Sequence, residues 1–344
     1  MKPSKSIQLA VRVTLAFFFL VIMAGGVVRT TGSGMGCPDW PKCFGYLIPP
    51  TDQEPLTLRE GKSFEKGQMI IHNDTLWVAN DQLKATAEFD HAQWTKYPKH
   101  DYAIFDATHT WIEYLNRLAT ALFAIPILVL IALTAARWRK EGDSLSLLMA
   151  LGVLAMVGFE AWLGKLVVDG NLTTSSITLH MLGSLGIVTL LWGLNFRVGE
   201  KRLSNVPHAR VKNLTYLLFA LVLMQFLLGT QVRESVDVVA ATGIERQGWI
   251  DALPSIFLIH RSASILLVLT MAALYFYNSK QERRIRTVNT VLGALVAEII
   301  FGAILNYGGF PAYMQPIHLV YAFVLFSSVF YLVLAVTFPR QKSA

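Results

Sequence analysis

The sequence predicts an all-α integral membrane protein of eight transmembrane helices, arranged as two four-helix bundles related by a pseudo-twofold axis. Three observations carry that expectation. Of 344 residues, 53% are hydrophobic and 15% are charged, against roughly 25% charged in an ordinary soluble domain. The apolar residues fall into eight stretches, each near the ~20 residues that a helix needs to cross a hydrocarbon core. Polar side chains inside the first four stretches recur, in order, inside the last four, which is the mark of an internal repeat.

In chain order the stretches lie at approximately 7–28, 111–135, 145–168, 174–196, 213–232, 254–277, 287–306 and 315–337. They are built from Leu, Val, Ile, Phe and Ala with interspersed Gly, as membrane helices are. The first is longer than the apolar core of a signal peptide and no A-x-A-like site follows it, so it is expected to be retained. Between the first and second stretches, residues 30–110 contain Trp40, Trp77, Trp94, several prolines and many charges. Within them Gln68–Ala79 is strand-like and bounded by turn residues. A connection of this size is either functional or a small cap. The other connections are short enough for neighbouring spans to pack antiparallel. The domains expected are 1–200, carrying the long loop, and 201–344.

The formal charge of +7 does not point to nucleic acid, because the basic residues sit in alternate connections rather than on one domain. Lys2, Lys5 and Arg12 open the first span, and Arg137, Arg139 and Lys140 follow the second. Arg197, Lys201, Arg202, Arg210 and Lys212 join the fourth to the fifth. Lys280, Arg283, Arg284 and Arg286 join the sixth to the seventh, and Arg340 and Lys342 end the chain. The positive-inside rule then places both termini in the cytoplasm and the long loop outside, in a cell (inner) membrane protein. Cys37 and Cys43 fall in that outer loop, within Cys-Pro-Asp-Trp-Pro-Lys-Cys. Two free thiols and an incomplete metal pair are the alternatives to a disulfide there, and an oxidising compartment favours the disulfide.

The repeat is specific. Glu160-Ala-Trp-Leu-Gly164 in the third span leads to His180, and Glu298-Ile-Ile-Phe-Gly302 in the seventh leads to His318; both Glu-to-His separations are 20 residues. Asn116-Arg117-Leu-Ala119 in the second span matches His260-Arg261-Ser-Ala263 in the sixth. Gly25-x-x-x-Arg29 matches Gly229-x-x-x-Arg233. Matching spans are four apart, so the halves share one orientation and form a parallel repeat.

His180, His260 and His318 each lie a few residues inside the start of an even-numbered span, at similar depth toward the outer face, and Asn116 occupies the fourth such position. Neutral imidazole ligates haem iron, and two imidazoles from facing helices fill both axial positions. Arg117 and Arg261, beside these positions, and Arg29 and Arg233, at the ends of the first and fifth spans, suit haem propionates; anchoring at the membrane interface is the plainer role for each. Ionisable groups inside a bilayer are costly and are functional candidates on that ground. Glu160 and Glu298 fit either a proton relay or bonds to the opposing half. Asn116 is a poor iron ligand, so the first half is expected to be an open, reactive site and the second a closed bis-His one. Glu113 lies on the same helical face as Asn116 and Arg117, and His109 is two turns earlier, within reach of the same site.

These residues resemble the heme A synthase family over essentially the whole chain apart from most of the long loop. The resemblance is carried by Gly25-Gly26-Val-Val-Arg29-Thr-Thr-Gly32-Ser33-Gly34-Met-Gly36-Cys37 with Trp40-Pro41 and Cys43, by Glu113-Tyr-Leu-Asn116-Arg117, and by His180, His260-Arg261 and His318. It implies oxidation of the ring D methyl group of haem O to a formyl group, giving haem A for terminal oxidases. It further implies haem b as cofactor on His260 and His318, substrate iron on His180, and Glu113 near the reacting edge. The cysteine pair would help deliver or position the substrate. Implied partners are haem O, a haem O synthase and an electron acceptor or donor in the membrane, with a homo-oligomer also admitted. The family pattern has a histidine where this sequence has Asn116, which leaves His109, or His180 alone, to hold the substrate iron. Two other readings compete: a quinol-linked haem b cytochrome that only passes electrons, which leaves Glu113 idle, and a repeat-built transporter that binds no haem.

Overall fold

The computed structural model describes residues 3–99, 103–169, 176–199, 203 and 207–339. Eight long helices account for most of them: α1 (Lys5–Thr31), α2 (Ala107–Glu141), α3 (Ser144–Asp169), α4 (Ser176–Val198), α5 (Ala209–Ala241), α6 (Ile256–Ser279), α7 (Thr287–Tyr307) and α8 (Met314–Thr337). Each is long and apolar enough to cross a membrane, so the expected eight-span helical class holds. Of the basic residues used to orient the spans, Lys2, Lys201, Arg202, Arg340 and Lys342 lie outside the described residues.

The chain packs as two compact units, one of Met1–Met23, Leu122–Glu160 and Thr174–Ala344, the other of Ala24–Ala121 and Ala161–Thr173. In the first unit one apolar cluster lies between the helices. Val11 and Phe18 of α1, Ile127 of α2, Leu191 of α4, Met271 of α6 and Phe323 of α8 are all buried in one cluster. Phe323 is at its centre, edge-to-face with Phe18 at 5.5 Å and with Phe226 at 5.0 Å, a geometry that sets the positive ring edge against the negative face. Leu9, Leu128, Leu148, Leu266 and Leu269 are exposed, as side chains that face lipid would be.

Two further features hold the helix ends of this unit. Asp143, between α2 and α3, has a fully buried side chain that pairs with Arg137 of α2 at 3.0 Å and with Arg197 of α4 at 2.8 Å. It also accepts from the Ser146 hydroxyl at 2.6 Å. Burial pushes its carboxyl up, but the bonds from Ser146 and Arg197 outweigh that and hold it below the ordinary value of 3.8. At the far end of α5, Val232 and Val236 pack with Leu305, Phe310 and Met314, joined by Trp249 of a short helical turn, Trp249–Ala252. This cluster explains why α5 runs to Ala241, beyond the expected end near 232.

The second unit contains residues 32–99 and 103–106 between α1 and α2. Its strands are β1 (Ser63–Phe64), β2 (Met69–His72), β3 (Thr75–Ala79), β4 (Leu83–Lys84) and β5 (Trp94–Lys96), in an antiparallel β1–β4 pair and a three-stranded sheet of order β2–β3–β5. The strand-like patch at Gln68–Ala79 is therefore a hairpin. Asn73 and Asp74 turn it with φ of 49° and 51°, the left-handed pair that a two-residue hairpin needs to match strand twist. One apolar cluster gathers Cys37, Cys43, Phe44, Leu56, Met69 and Leu76; another gathers Phe64, Ile70, Ala85 and Trp94. Cys37 and Cys43 form a disulfide, with Cα atoms 4.7 Å apart.

Candidate functional site

Three groups of predicted site residues are legible in the geometry, two in the first unit and one in the second. The clearest is the pair of histidines in the second half of the chain. His260 on α6 and His318 on α8 each stand four residues after the first residue of their helix. Both are half-buried. Each ring edge rests against a glycine of a neighbouring helix: a Cβ on Gly229 of α5 would lie 3.4 Å from His260 Cε1, and one on Gly302 of α7 would lie 3.5 Å from His318 Cε1. Gln225 Nε2 donates to the His260 carbonyl oxygen at 2.8 Å and fixes the α6 backbone at that point. His260 Nδ1 is buried with no hydrogen-bond partner among the described residues. Nearby, Arg233 of α5 donates to Gln315 of α8 and to Asp237 Oδ1, the latter one turn further along α5. Gln315 lies one turn before His318, so Arg233 ties α5 to α8 one turn from that histidine. Arg261 is exposed, with its guanidinium 6.0 Å from the Phe257 ring centroid.

The second group is the pair of carboxylates. Glu298 Oε1 of α7 lies 3.2 Å from His318 Nδ1, and Glu160 of α3 pairs with His180 Nδ1 of α4. Each glutamate thus meets the histidine of its own repeat rather than the opposing half, and in both cases at the same ring nitrogen. Next to His180, Thr178 of α4 donates to Glu234 Oε1 of α5 at 3.0 Å and to Thr230 Oγ1 at 3.1 Å.

The third group is on α2, in the second unit. Asp106 accepts from the His109 N–H at 2.9 Å and closes the first turn of the helix; that N–H bond holds the exposed Asp106 carboxyl below its usual value. Gly36 packs so closely that a Cβ there would collide with the His109 carbonyl, and Thr110 Oγ1 donates to Gly36 O at 2.8 Å. Glu113, buried to 4% exposure, accepts from the Cys37 N–H at 2.8 Å through Oε2 and pairs with Arg117 through Oε1. Arg117 donates to the carbonyls of Asp39 at 2.6 Å, Lys42 at 2.8 Å and Cys37 at 3.3 Å. Asp39 in turn accepts from the Gly45 N–H at 3.0 Å. Burial pushes the Asp39 carboxyl up, with the Gly45 and Phe44 N–H groups and the Arg117 charge pulling it back. One face of α2 therefore grips the disulfide loop with Thr110, Glu113 and Arg117. Asn116 Oδ1 lies against Gly25 of α1, where a Cβ would be 3.9 Å away. This repeats the contact of Gly229 with His260, so the shared glycine of the two Gly-x-x-x-Arg motifs leaves room for the residue at the Asn116/His260 position. Arg29 is half-buried in the last turn of α1.

Sequence reasoning missed Gln225, Gln315, Asp237 and Thr178. Asp237 had a signal, since it stands four residues after Arg233 on the same face. Gln225 and Gln315 had none, because neutral amides inside a span carry no charge to draw attention.

Fold and site together define a multi-pass helical membrane protein with imidazole–carboxylate pairs set among its spans. A family model described as cytochrome oxidase assembly protein, COX15-CtaA, matches residues 9–330, and the chain belongs to that family. It is similar to a protein of Shewanella oneidensis, 26% identical over 248 residues, covering 70% of this chain and 62% of the relative. It is also similar to proteins of Flavobacterium johnsoniae, 22% identical over 96% of this chain and 97% of the relative, and Flavobacterium psychrophilum, 19% identical over 96% and 98%. All three relatives are named heme A synthase.

Proposed function

We propose that this protein is a haem A synthase, an enzyme of the cell membrane that oxidises the ring D methyl group of haem O to a formyl group. The observation that carries the reading is the imidazole pair His260 and His318, each seated against a glycine, in a chain whose family and named relatives concern cytochrome oxidase assembly and heme A synthesis.

These residues fit a haem. The glycines leave space at each ring edge that a Cβ would narrow, and the ring nitrogens at this depth in a membrane have few other partners. His260 and His318 hold haem b in the second half, and such a haem supplies one-electron chemistry. His180 takes the iron of haem O in the first half. Arg233 lies beside His318, where a propionate can join its existing partners; Arg29 and Arg261 serve the same end at their own span termini. Arg117 and Glu113 act together by anchoring the loop closed by Cys37 and Cys43, which positions the substrate. Asn116 stands where the second half has His260, and His109 stands two turns earlier on the same helix. With water as the oxygen source, the electrons and protons released go to an acceptor in the membrane, and a haem O synthase supplies the substrate. Both termini are cytoplasmic, and the halves 1–200 and 201–344 are related bundles with separate tasks.

The test is extraction of the haems from protein purified from cells that also make haem O, followed by chromatography. Haem B together with haem A or a hydroxylated haem O is expected. Haem B alone would replace the reading with an electron-transfer cytochrome, and absence of haem would end both.

A further inference from the structure

We infer that Glu298 and Glu160 are positioning residues: each fixes the ring of its partner, His318 or His180, through Nδ1, so that Nε2 is the nitrogen offered to iron. The inference rests on the haem reading above and deepens it. It starts from two contacts at matched positions of the repeat, Glu298 with His318 and Glu160 with His180. Neither oxygen of Glu160, nor Glu298 Oε2, nor Nδ1 of either histidine has a hydrogen-bond partner among the described residues, and what faces each Nδ1 is the carboxylate of its glutamate. Buried polar groups are normally satisfied, and a carboxylate among membrane spans is retained only where something answers its charge. Here the imidazole N–H is the available answer.

The packing supports the same assignment. A Cβ on Gly183, one turn beyond His180, would collide with the Glu160 carboxylate, so the carboxylate lies directly on the α4 surface that carries the ring. In the second half, Gly302, one turn beyond Glu298 on α7, backs the His318 ring edge. Glutamate and glycine of one helix thus bracket the ring of the next. A carboxylate on the far nitrogen of a ligating imidazole fixes the tautomer and raises the ligand's basicity, and loss of such a partner commonly costs about 10–100-fold in metal affinity. The two ligands of the resident haem are then unequal, because a carboxylate lies 3.2 Å from His318 Nδ1, whereas His260 Nδ1 has no hydrogen-bond partner and is paired with no carboxylate among the described residues.

The experiment uses full-length protein purified with its haem, comparing Glu298→Ala, Glu298→Gln and Glu160→Ala. Haem retention is read by transfer to apomyoglobin, and the midpoint potential by spectroelectrochemical titration. Glu298→Ala is expected to weaken haem b binding about 10–100-fold and to raise its potential, because a less basic imidazole stabilises ferric iron less. Glu298→Gln should recover retention, since its amide oxygen still accepts from the ring N–H, while the potential stays raised. Glu160→Ala should leave the haem b signals at wild-type values. Wild-type retention and potential in Glu298→Ala, or no recovery in Glu298→Gln, would overturn the inference. So would an equal effect of Glu160→Ala on haem b. Should Glu298→Ala fail to accumulate, an unchanged potential in Glu298→Gln would overturn it alone. Wild-type protein that purifies without haem would instead defeat the underlying reading.

Discussion

Gly36 is where the disulfide loop closes on α2, and its lack of a side chain sets the distance. A methyl group there would meet the His109 carbonyl, which belongs to the helix backbone and has little freedom to move. The neighbouring bonds, Thr110 to Gly36 O and Cys37 N–H to Glu113, depend on that approach. Gly36→Ala is therefore expected to destabilise the loop by about 1–3 kcal/mol, the usual range for overpacking. The measurement is the rate of limited proteolysis within residues 37–50 of the oxidised protein, which should rise while cleavage elsewhere stays unchanged; an unchanged rate would mean the loop has another anchor. Glu113 shows how far a single residue can be read from sequence. Its place on one face with Arg117 follows from a spacing of four. That this pair would grip backbone atoms of Cys37, Asp39 and Lys42 does not, because the loop's path is set by contacts more than 70 residues away in the chain.

At the scale of elements, hydropathy located all eight helices but placed several ends short. α2 was expected to finish near 135 and runs to Glu141; α5 was expected to finish near 232 and runs to Ala241. The extra turns are polar or amphipathic, and their stability comes from partners that a hydropathy window does not see. For α2 one partner is Asp143, which joins its last turns to α4 through Arg137 and Arg197. Asp143→Asn leaves two guanidinium groups facing a neutral amide, and a loss of about 3 kcal/mol is expected, as when one member of a buried ion pair is removed. The pH dependence has a definite sign. The carboxyl titrates below its ordinary 3.8 in the folded protein, so its contribution is whole above that value and is lost as pH falls through the lower folded pKa. Thermal unfolding midpoints in detergent should be lower for Asp143→Asn at neutral pH, and the gap to wild type should close as the buffer is acidified below pH 3.8. A gap that stays constant across that range would assign the effect to packing rather than charge.

Across the whole molecule, the repeat singled out the candidate site where no single residue could have done so. One histidine near a helix end is unremarkable; three at matched positions, with glutamates 20 residues before two of them, are a pattern. Its physical content is now visible in the glycine beside Asn116 and His260 and in the carboxylate beside His180 and His318. What spacing could not supply was which side chain meets which, since helix rotation is set by packing rather than by separation along the chain. The departure of Asn116 from His260 is also the strongest reason to expect two halves with different tasks, and that difference can be measured. If His260 and His318 hold haem b as proposed, His260→Met or His318→Met should alter its optical spectrum or empty its site, because thioether and imidazole set different ligand fields at iron. Glu113→Ala should leave that spectrum intact, since Glu113 bonds to Arg117 and Cys37 and to neither of those histidines. It should nevertheless lower haem A formation at least tenfold, by releasing the loop that, on the proposed function, positions the substrate. Pyridine haemochrome spectra and product chromatography on the same preparations separate the two effects. If Glu113→Ala removed the resident haem while His318→Met spared it, the division of labour between the halves would be reversed, and the repeat would record ancestry without the assigned roles.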